Sequence, residues 1–230
     1  MPDSKQIKTL LLNPPGRKKY FRDYYCSKIS KAGYYYHPVD LVYLSGMVNK
    51  KSEVHYYDAI ACNIDADKCL YDIKTLKPDF IISLTSAPSF DEDIEFFRSL
   101  KDSLQDSIII ITGDIVREKK EEILKSHLFI DATLSDFSSP GINNYITSHD
   151  NQIIPGIIYR SGSKIINGAD IISEEFDVPI PLWNLLIDIP YSLPFAKHKR
   201  MASILTDFGC PFKCDFCPVS TLGFKLRSFE

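Results

Sequence analysis

Late in the chain, Gly209-Cys210-Pro211-Phe212-Lys213-Cys214-Asp215-Phe216-Cys217-Pro218 sets three cysteines at C-x3-C-x2-C spacing. One short loop can wrap three thiolates so spaced around a single metal centre. Three are one short of the four that close a structural zinc site or a simple iron–sulfur cluster. A four-iron cluster held this way keeps one iron without a protein ligand, open to a small molecule. That open iron favours catalysis over a structural staple. Two blander readings stand beside it. A zinc site completed by His198 or a distant residue is disfavoured by spacing that fits zinc knuckles poorly. Structural buried cysteines are disfavoured by the Gly, Pro, Lys and Asp residues around them.

With an aromatic just before its last cysteine (Cys210, Cys214, Phe216, Cys217), the loop resembles the cluster loop of the radical S-adenosylmethionine (SAM) enzymes. The resemblance implies a 4Fe–4S cluster on Cys210, Cys214 and Cys217, whose open iron chelates the amino and carboxylate groups of SAM. It further implies reductive cleavage of SAM to a 5′-deoxyadenosyl radical, and a backbone around Phe216 that packs near the adenine. A small-molecule substrate and an electron donor such as flavodoxin or ferredoxin come with the same implication. Ala202-Ser203-Ile204-Leu205-Thr206 is expected as the first strand of the family's (β/α) barrel. Family members often carry Ser-Arg before Gly-Cys-Pro, where this chain has Asp207-Phe208; the ligands are intact, but any role of that arginine is absent. No residue is assigned a catalytic role beyond the cofactor ligands.

The 230 residues suffice for one full domain plus part of another, and the 44% apolar content suffices for a packed core. A net charge of −3 without a basic block argues against a surface that tracks nucleic-acid phosphates. No apolar run approaches the roughly 20 residues that cross a bilayer, and the first residues begin no signal peptide. Six cysteines are too sparse for a disulfide scaffold, so the expected compartment is the reducing cytoplasm. Cys26, Cys62 and Cys69 read as ordinary thiols. A second cluster of the methylthiotransferase kind is excluded by placement, because Asn13-Pro14-Pro15 stands where its first ligand belongs.

The elements that must position the loop are legible in apolar periodicity. Strands are expected over residues 7–12, 53–57, 80–85, 108–112 and 128–133, and helices over 38–50, 65–76, 91–104, 118–126 and 141–147. Residues 16–37 read as a long loop or small excursion. Strands alternating with helices, several of them continuously apolar, predict a doubly wound Rossmann/flavodoxin-like α/β domain with a five-stranded parallel sheet. Residues 157–166 read as a hairpin over Ser161-Gly162, and Pro179-Ile180-Pro181-Leu182-Trp183 as an extended connector. The expected organisation is therefore an α/β domain over 1–150, a hairpin and Pro-rich connector over 151–199, and the start of a radical SAM core over 200–230. Ending thirteen residues past the last cysteine, the chain is expected to lack most of that barrel and to be inactive alone. Neither G-x-G-x-x-G nor a Walker loop occurs, which removes support for nicotinamide, flavin and nucleoside-triphosphate readings.

The order of these features resembles the cobalamin (B12)-binding branch of the radical SAM enzymes across almost the whole chain. The residues that carry it are Leu11-Leu12-Asn13-Pro14-Pro15, the proline-led helix at Pro38 with its Leu41/Leu44 face, Lys77-Pro78-Asp79, the Gly-turn hairpin and the Pro-x-Pro-x-Trp connector. The resemblance implies a cobalamin over the carboxyl ends of the strands, held at Asn13, Pro14, Thr85, Ser86, Gly113 and Ser135. It implies a transferase that methylates an unactivated carbon, or a ring-forming rearrangement. Members often carry Gly-Gly after the fourth strand and Gly-Glu-Gly-Glu after the fifth; this chain has Gly113-Asp114 and Ser135-Asp136-Phe137-Ser138. The Asp-x-His-x-x-Gly motif is absent at His37, His55, His127, His149 and His198, so none of them is assigned to cobalt. The rival readings are a non-catalytic corrinoid-binding or interaction module with a vestigial cluster loop, and a zinc-stapled α/β domain.

Overall fold

The computed structural model describes residues 6–24, 27–148, 151–169, 179–198, 200–217, 219 and 224–226. Its centre is β1 (Lys8–Asn13), whose three leucines, Leu10, Leu11 and Leu12, are at most 1% exposed. β4 (Glu53–Asp58) pairs parallel on one side of β1. On the other side follow β5 (Phe80–Leu84), β6 (Ile108–Thr112) and β7 (Ala132–Leu134), all parallel. These five strands, taken in chain order, lie 2-1-3-4-5 across the sheet, the flavodoxin-like order. Continuous burial along β5 and β6 fits a sheet covered on both faces.

Among the described residues the sheet has seven strands, the five parallel ones expected and two more. β8 (Ile157–Ser161) pairs antiparallel with β7, and β9 (Lys164–Asn167) pairs antiparallel with β8. Ile157, Ile158 and Tyr159 are fully buried, and left uncovered the edge of β7 would present unpaired backbone groups. The hairpin therefore extends the sheet instead of standing in the linker. Two more expectations change. Residues 118–126 form two helices, α4 (Asp114–Lys119) and α5 (Glu121–Ser126), because Lys120 takes a left-handed φ of 45° between them. The fifth strand shrinks from 128–133 to Ala132–Leu134, since Leu128 is 74% exposed and only 132–134 register against β6.

α2 (Ala66–Leu76) is capped by Asp65, whose carboxylate accepts from the Lys68 amide at 2.8 Å, and it ends on a left-handed Lys77. With α3 (Phe90–Ser103), α4 and α5 it covers one face through Cys69, Ile73, Ile94, Phe97, Val116 and Leu124. The other face is covered by α1 (Val39–Val48) and α6 (Gly141–Thr147). Nine of the ten residues of α1 are buried, because the connector passes over its outer side. Leu182 donates to Ser45 Oγ at 2.9 Å, and a Cβ on Gly46 would lie 2.5 Å from the Ile180 carbonyl oxygen. Gly46 is what lets the backbones meet.

The expected barrel strand at 202–206 is not formed. Ladder pairing begins at β10 (Asp207–Gly209), which pairs antiparallel with β11 (Phe224–Leu226). Among the described residues 202–206 have no neighbouring strand; the Leu205 amide donates instead to the Tyr43 hydroxyl. Among the described residues no helix is long and apolar enough to cross a membrane.

Candidate functional site at the carboxyl end of the sheet

In a sheet of this order, ligands bind outside the carboxyl ends of the strands where the order reverses, here between β1 and β5. The loops expected there do converge, but their side chains are spent on one another. Asn13, 1% exposed, donates to Asp58 at 3.0 Å and accepts from Arg22 at 3.0 Å. Pro14 and Pro15 give their carbonyls to the Arg22 guanidinium at 2.9 and 3.1 Å. Thr85 donates to Asp93 at 3.0 Å, and the Ser86 hydroxyl lies 2.7 Å from that of Ser89. Ser135 donates to the Gly156 carbonyl at 3.0 Å. Gly113 holds φ at 136°, and a Cβ there would fall 1.9 Å from the Thr85 carbonyl oxygen, so only glycine closes β6 against β5.

The organiser of this end is Arg22, from the excursion between β1 and α1. That excursion contains a two-stranded ribbon, β2 (Tyr20–Phe21) with β3 (Lys28–Ile29). Arg22 and Asp93 are both buried with their side chains fully covered, and they pair through Nη2–Oδ1 at 2.5 Å and Nε–Oδ2 at 3.0 Å. Burial pushes the Asp93 carboxyl up, while the Arg22 charge and the bonds from Arg22, Ser89 and Thr85 pull it down. The network continues from Asn13 through Asp58 to Tyr191, whose hydroxyl donates to Asp58 at 2.6 Å and lies 2.9 Å from that of Tyr56. Burial raises the Asp58 carboxyl, opposed by bonds from the Ala61 amide, Tyr191 and Asn13.

Near this end, Oγ1 of Thr112, the last residue of β6, is buried with no hydrogen-bond partner among the described residues. Asp40, in the first turn of α1, is 1% exposed, and burial raises its carboxyl against bonds from its own amide and the Tyr24 amide. Sequence reasoning had no signal for Arg22, Asp93 or Asp40, because a buried charge among loops carries no periodicity.

The cysteine loop is anchored at the same end. Phe208 (2% exposed) packs with Tyr24 and Phe137, ring centroids 5.3 to 5.8 Å apart. Opposite it in the β10–β11 ladder, Lys225 pairs with Asp136 at 2.7 Å, donates to Ser138 at 3.1 Å, and lies 5.2 Å over the Phe208 ring. The departures Asp136, Phe137 and Ser138 from the glycine-rich family pattern thus seat the hairpin that carries the cysteines. Cys210 and Cys217 are half-buried and Cys214 exposed, with one backbone bond from Cys217 to Cys214 at 3.1 Å. Among the described residues no three His, Cys, Asp or Glu side chains are gathered closely enough to hold a metal ion. The donor set itself, three accessible soft thiols within eight residues, suits an iron–sulfur cluster. Phe216 is 90% exposed.

The remaining candidates are structural. Cys69 is buried in the core with its thiol pushed up to about 12 by burial, and Cys62 is exposed. Cys26, His149 and Pro218 lie outside the described residues. Trp183 is half-buried and meets the His37 ring edge-on, 5.5 Å between centroids, an anchor of the connector as expected. His37 lies 3.1 Å from Ser203 Oγ, and its pKa is lowered by burial.

No model of a known protein family matches the chain. Over 201 residues, 83% of its length, it is 24% identical to an uncharacterized methyltransferase of Pyrococcus horikoshii. Over 191 residues, 78% of its length, it is 25% identical to the anaerobic magnesium-protoporphyrin IX monomethyl ester cyclase of Rubrivivax gelatinosus. These matches span 42% and 34% of the two relatives. Among solved structures, the cobalamin-dependent SAM radical enzyme OxsB with aqua-cobalamin and SAM bound superposes with a TM-score of 0.69 at 16% identity. That match covers 93% of this chain and 28% of OxsB. Over 93% of its length the chain thus shares the fold of the matching part of the cobalamin-dependent radical SAM enzyme OxsB.

Proposed function

We propose that the chain forms the α/β domain and the cluster loop of a cobalamin-type radical SAM enzyme. Cys210, Cys214 and Cys217 hold the 4Fe–4S cluster, and the backbone around Phe216 borders the SAM adenine. Such a cluster supplies one-electron cleavage of SAM, with cobalamin as the methyl carrier. The carboxyl end of the sheet takes the corrinoid, and the reaction is methyl transfer or a cyclisation on a small molecule. The observation that carries this reading is the anchoring of the C-x3-C-x2-C hairpin, through Phe208 and Lys225, at the end of the sheet where ligands of this fold bind. The likeness to OxsB supports it, as do the methyltransferase and cyclase names of the two relatives.

The residues of the chain then have defined work. The thiolates present three ligands and no fourth, which keeps one position for SAM. Phe208, Phe137 and Tyr24 exclude water beneath the loop, as a radical reaction requires. The test is anaerobic reconstitution of the full-length protein. Wild type is expected to take up about four irons and to change its reduced electron-paramagnetic-resonance spectrum when SAM is added. Changing all three cysteines to alanine should abolish both. Iron retained at wild-type levels in that variant would refute the assignment, and absence of iron in wild type would favour a non-catalytic module.

A further inference from the structure

The rings that seat the connector also wall a cavity of about 320 Å³, enclosed by the connector, the residue before Pro38 and the segment leading to β10. Trp183, Leu186, Ile189 and Met201 make its walls apolar, and two nitrogen-bearing side chains, His37 and Arg200, line it as well. A concave, mostly apolar space with a few polar groups is the make-up of a small-molecule site, here at the small end of the usual size range. The cluster and corrinoid proposed above use none of these residues.

His37 is 3% exposed, so its ring belongs to the wall and not to the solvent. Tyr191 packs on it at 4.4 Å between ring centroids, and Trp183 meets it edge-on at 5.5 Å. Ser203 Oγ lies 3.1 Å from Nδ1, and among the described residues Nε2 has no hydrogen-bond partner. With Ser203 donating to Nδ1, the hydrogen of the neutral ring sits on Nε2, as a donor. Arg200 is exposed and has no ion pair among the described residues, and a guanidinium carries only donors. Among the described residues no Asp or Glu lines the cavity. Asp58 stands behind Tyr191, taken up by the Tyr191 hydroxyl, Asn13 and the Ala61 amide.

The polar groups facing the cavity are therefore donors carrying positive charge, and their complement is an anionic acceptor. A carboxylate meets that need, because a guanidinium can take both of its oxygens in parallel. The rest of the ligand must be apolar. A flat ring suits the space beside Trp183 and Met201, where contacts with an indole and a thioether add to simple burial. We propose that this cavity binds a small aryl carboxylate, with its ring against Trp183 and Met201 and its carboxylate held by Arg200 and the His37 Nε2–H. The site is separate from the cluster and the corrinoid, and stands whether or not either is bound.

Trp183 is the one tryptophan of the chain, so entry of a ligand is read from its emission. The 230-residue protein is titrated with benzoate, phenylacetate and 3-phenylpropionate. At least one acid is expected to change the emission saturably with a Kd below about 1 mM. Its primary amide, of the same shape but uncharged, should bind about tenfold more weakly or worse. Arg200→Met removes the charge at an exposed position; it should weaken the acid by about tenfold or more and leave the amide within about threefold of wild type. Ala202→Phe, at another lining residue, places a ring in the cavity and should abolish both responses. Failure of all three acids to saturate would overturn the proposal, as would an Arg200→Met or an Ala202→Phe protein that binds the acid as tightly as wild type. Butyrate bound as tightly as the best aryl acid would overturn the aryl assignment.

Discussion

Removing the Arg22 side chain is expected to be among the most costly single changes in the α/β domain. Its guanidinium makes six hydrogen bonds, to Ser89, Asp93 twice, Asn13 and the carbonyls of Pro14 and Pro15. Arg22→Ala leaves Asp93 buried without its cation and strips a partner from each of the others. Breaking a buried pair from one side costs about 3–5 kcal/mol. For a chain of this size, 1 kcal/mol is worth about 2–4 °C in Tm, so a fall of at least 6 °C follows. The sign of the pH dependence is fixed as well. Without Arg22, burial holds the Asp93 pKa above its unfolded value of 3.8, so the folded state keeps a proton that the unfolded state releases. The deficit of Arg22→Ala should therefore shrink as pH falls towards 4 and widen towards neutrality. Replacing both partners, Arg22→Met with Asp93→Leu, should recover much of the loss, because no charge is stranded. Urea denaturation of the three proteins at two pH values decides the matter. A single variant within 0.5 kcal/mol of wild type, on the order of an ordinary surface change, or a double variant worse than the single, would refute the account of a sealed ion pair.

Two further outcomes follow from the same geometry. Lys225→Met removes the pairing with Asp136, whose side chain is 15% exposed against 4% for the lysine, and should free the hairpin to cleavage in limited proteolysis while the sheet stays resistant. Gly113→Ala puts a methyl 1.9 Å from the Thr85 carbonyl at a φ of 136°, so it should destabilise by more than about 2 kcal/mol in the same urea titration.

The sheet was legible because β1, β5 and β6 are runs of apolar residues too long for a turn and too short for a helix. Their spacing by amphipathic helices left one topology class. The seventh and sixth strands were visible as a hairpin, yet their place in the sheet was not. Pairing with β7 is a tertiary choice that local pattern does not encode. The strand expected at 202–206 failed for a related reason, since β-propensity forms a strand only where a neighbour offers its backbone. At the candidate site, spacing alone singled out Cys210, Cys214 and Cys217. Arg22 and Asp93 stayed hidden, because they draw their meaning from each other, 71 positions apart along the chain.

The clasp formed by Gly209 opposite Phe224 has a thermodynamic corollary. It pins both ends of the fourteen-residue stretch that holds all three thiols, so closing that ring, a cost of about 2 kcal/mol for an unrestrained chain, is already met before any metal arrives. On the proposed cluster reading, iron captured by the first thiol would find the second and third at an effective concentration set by a short tether. Assembly of the proposed cluster should accordingly depend on the ammonium group of Lys225 as well as on sulfur.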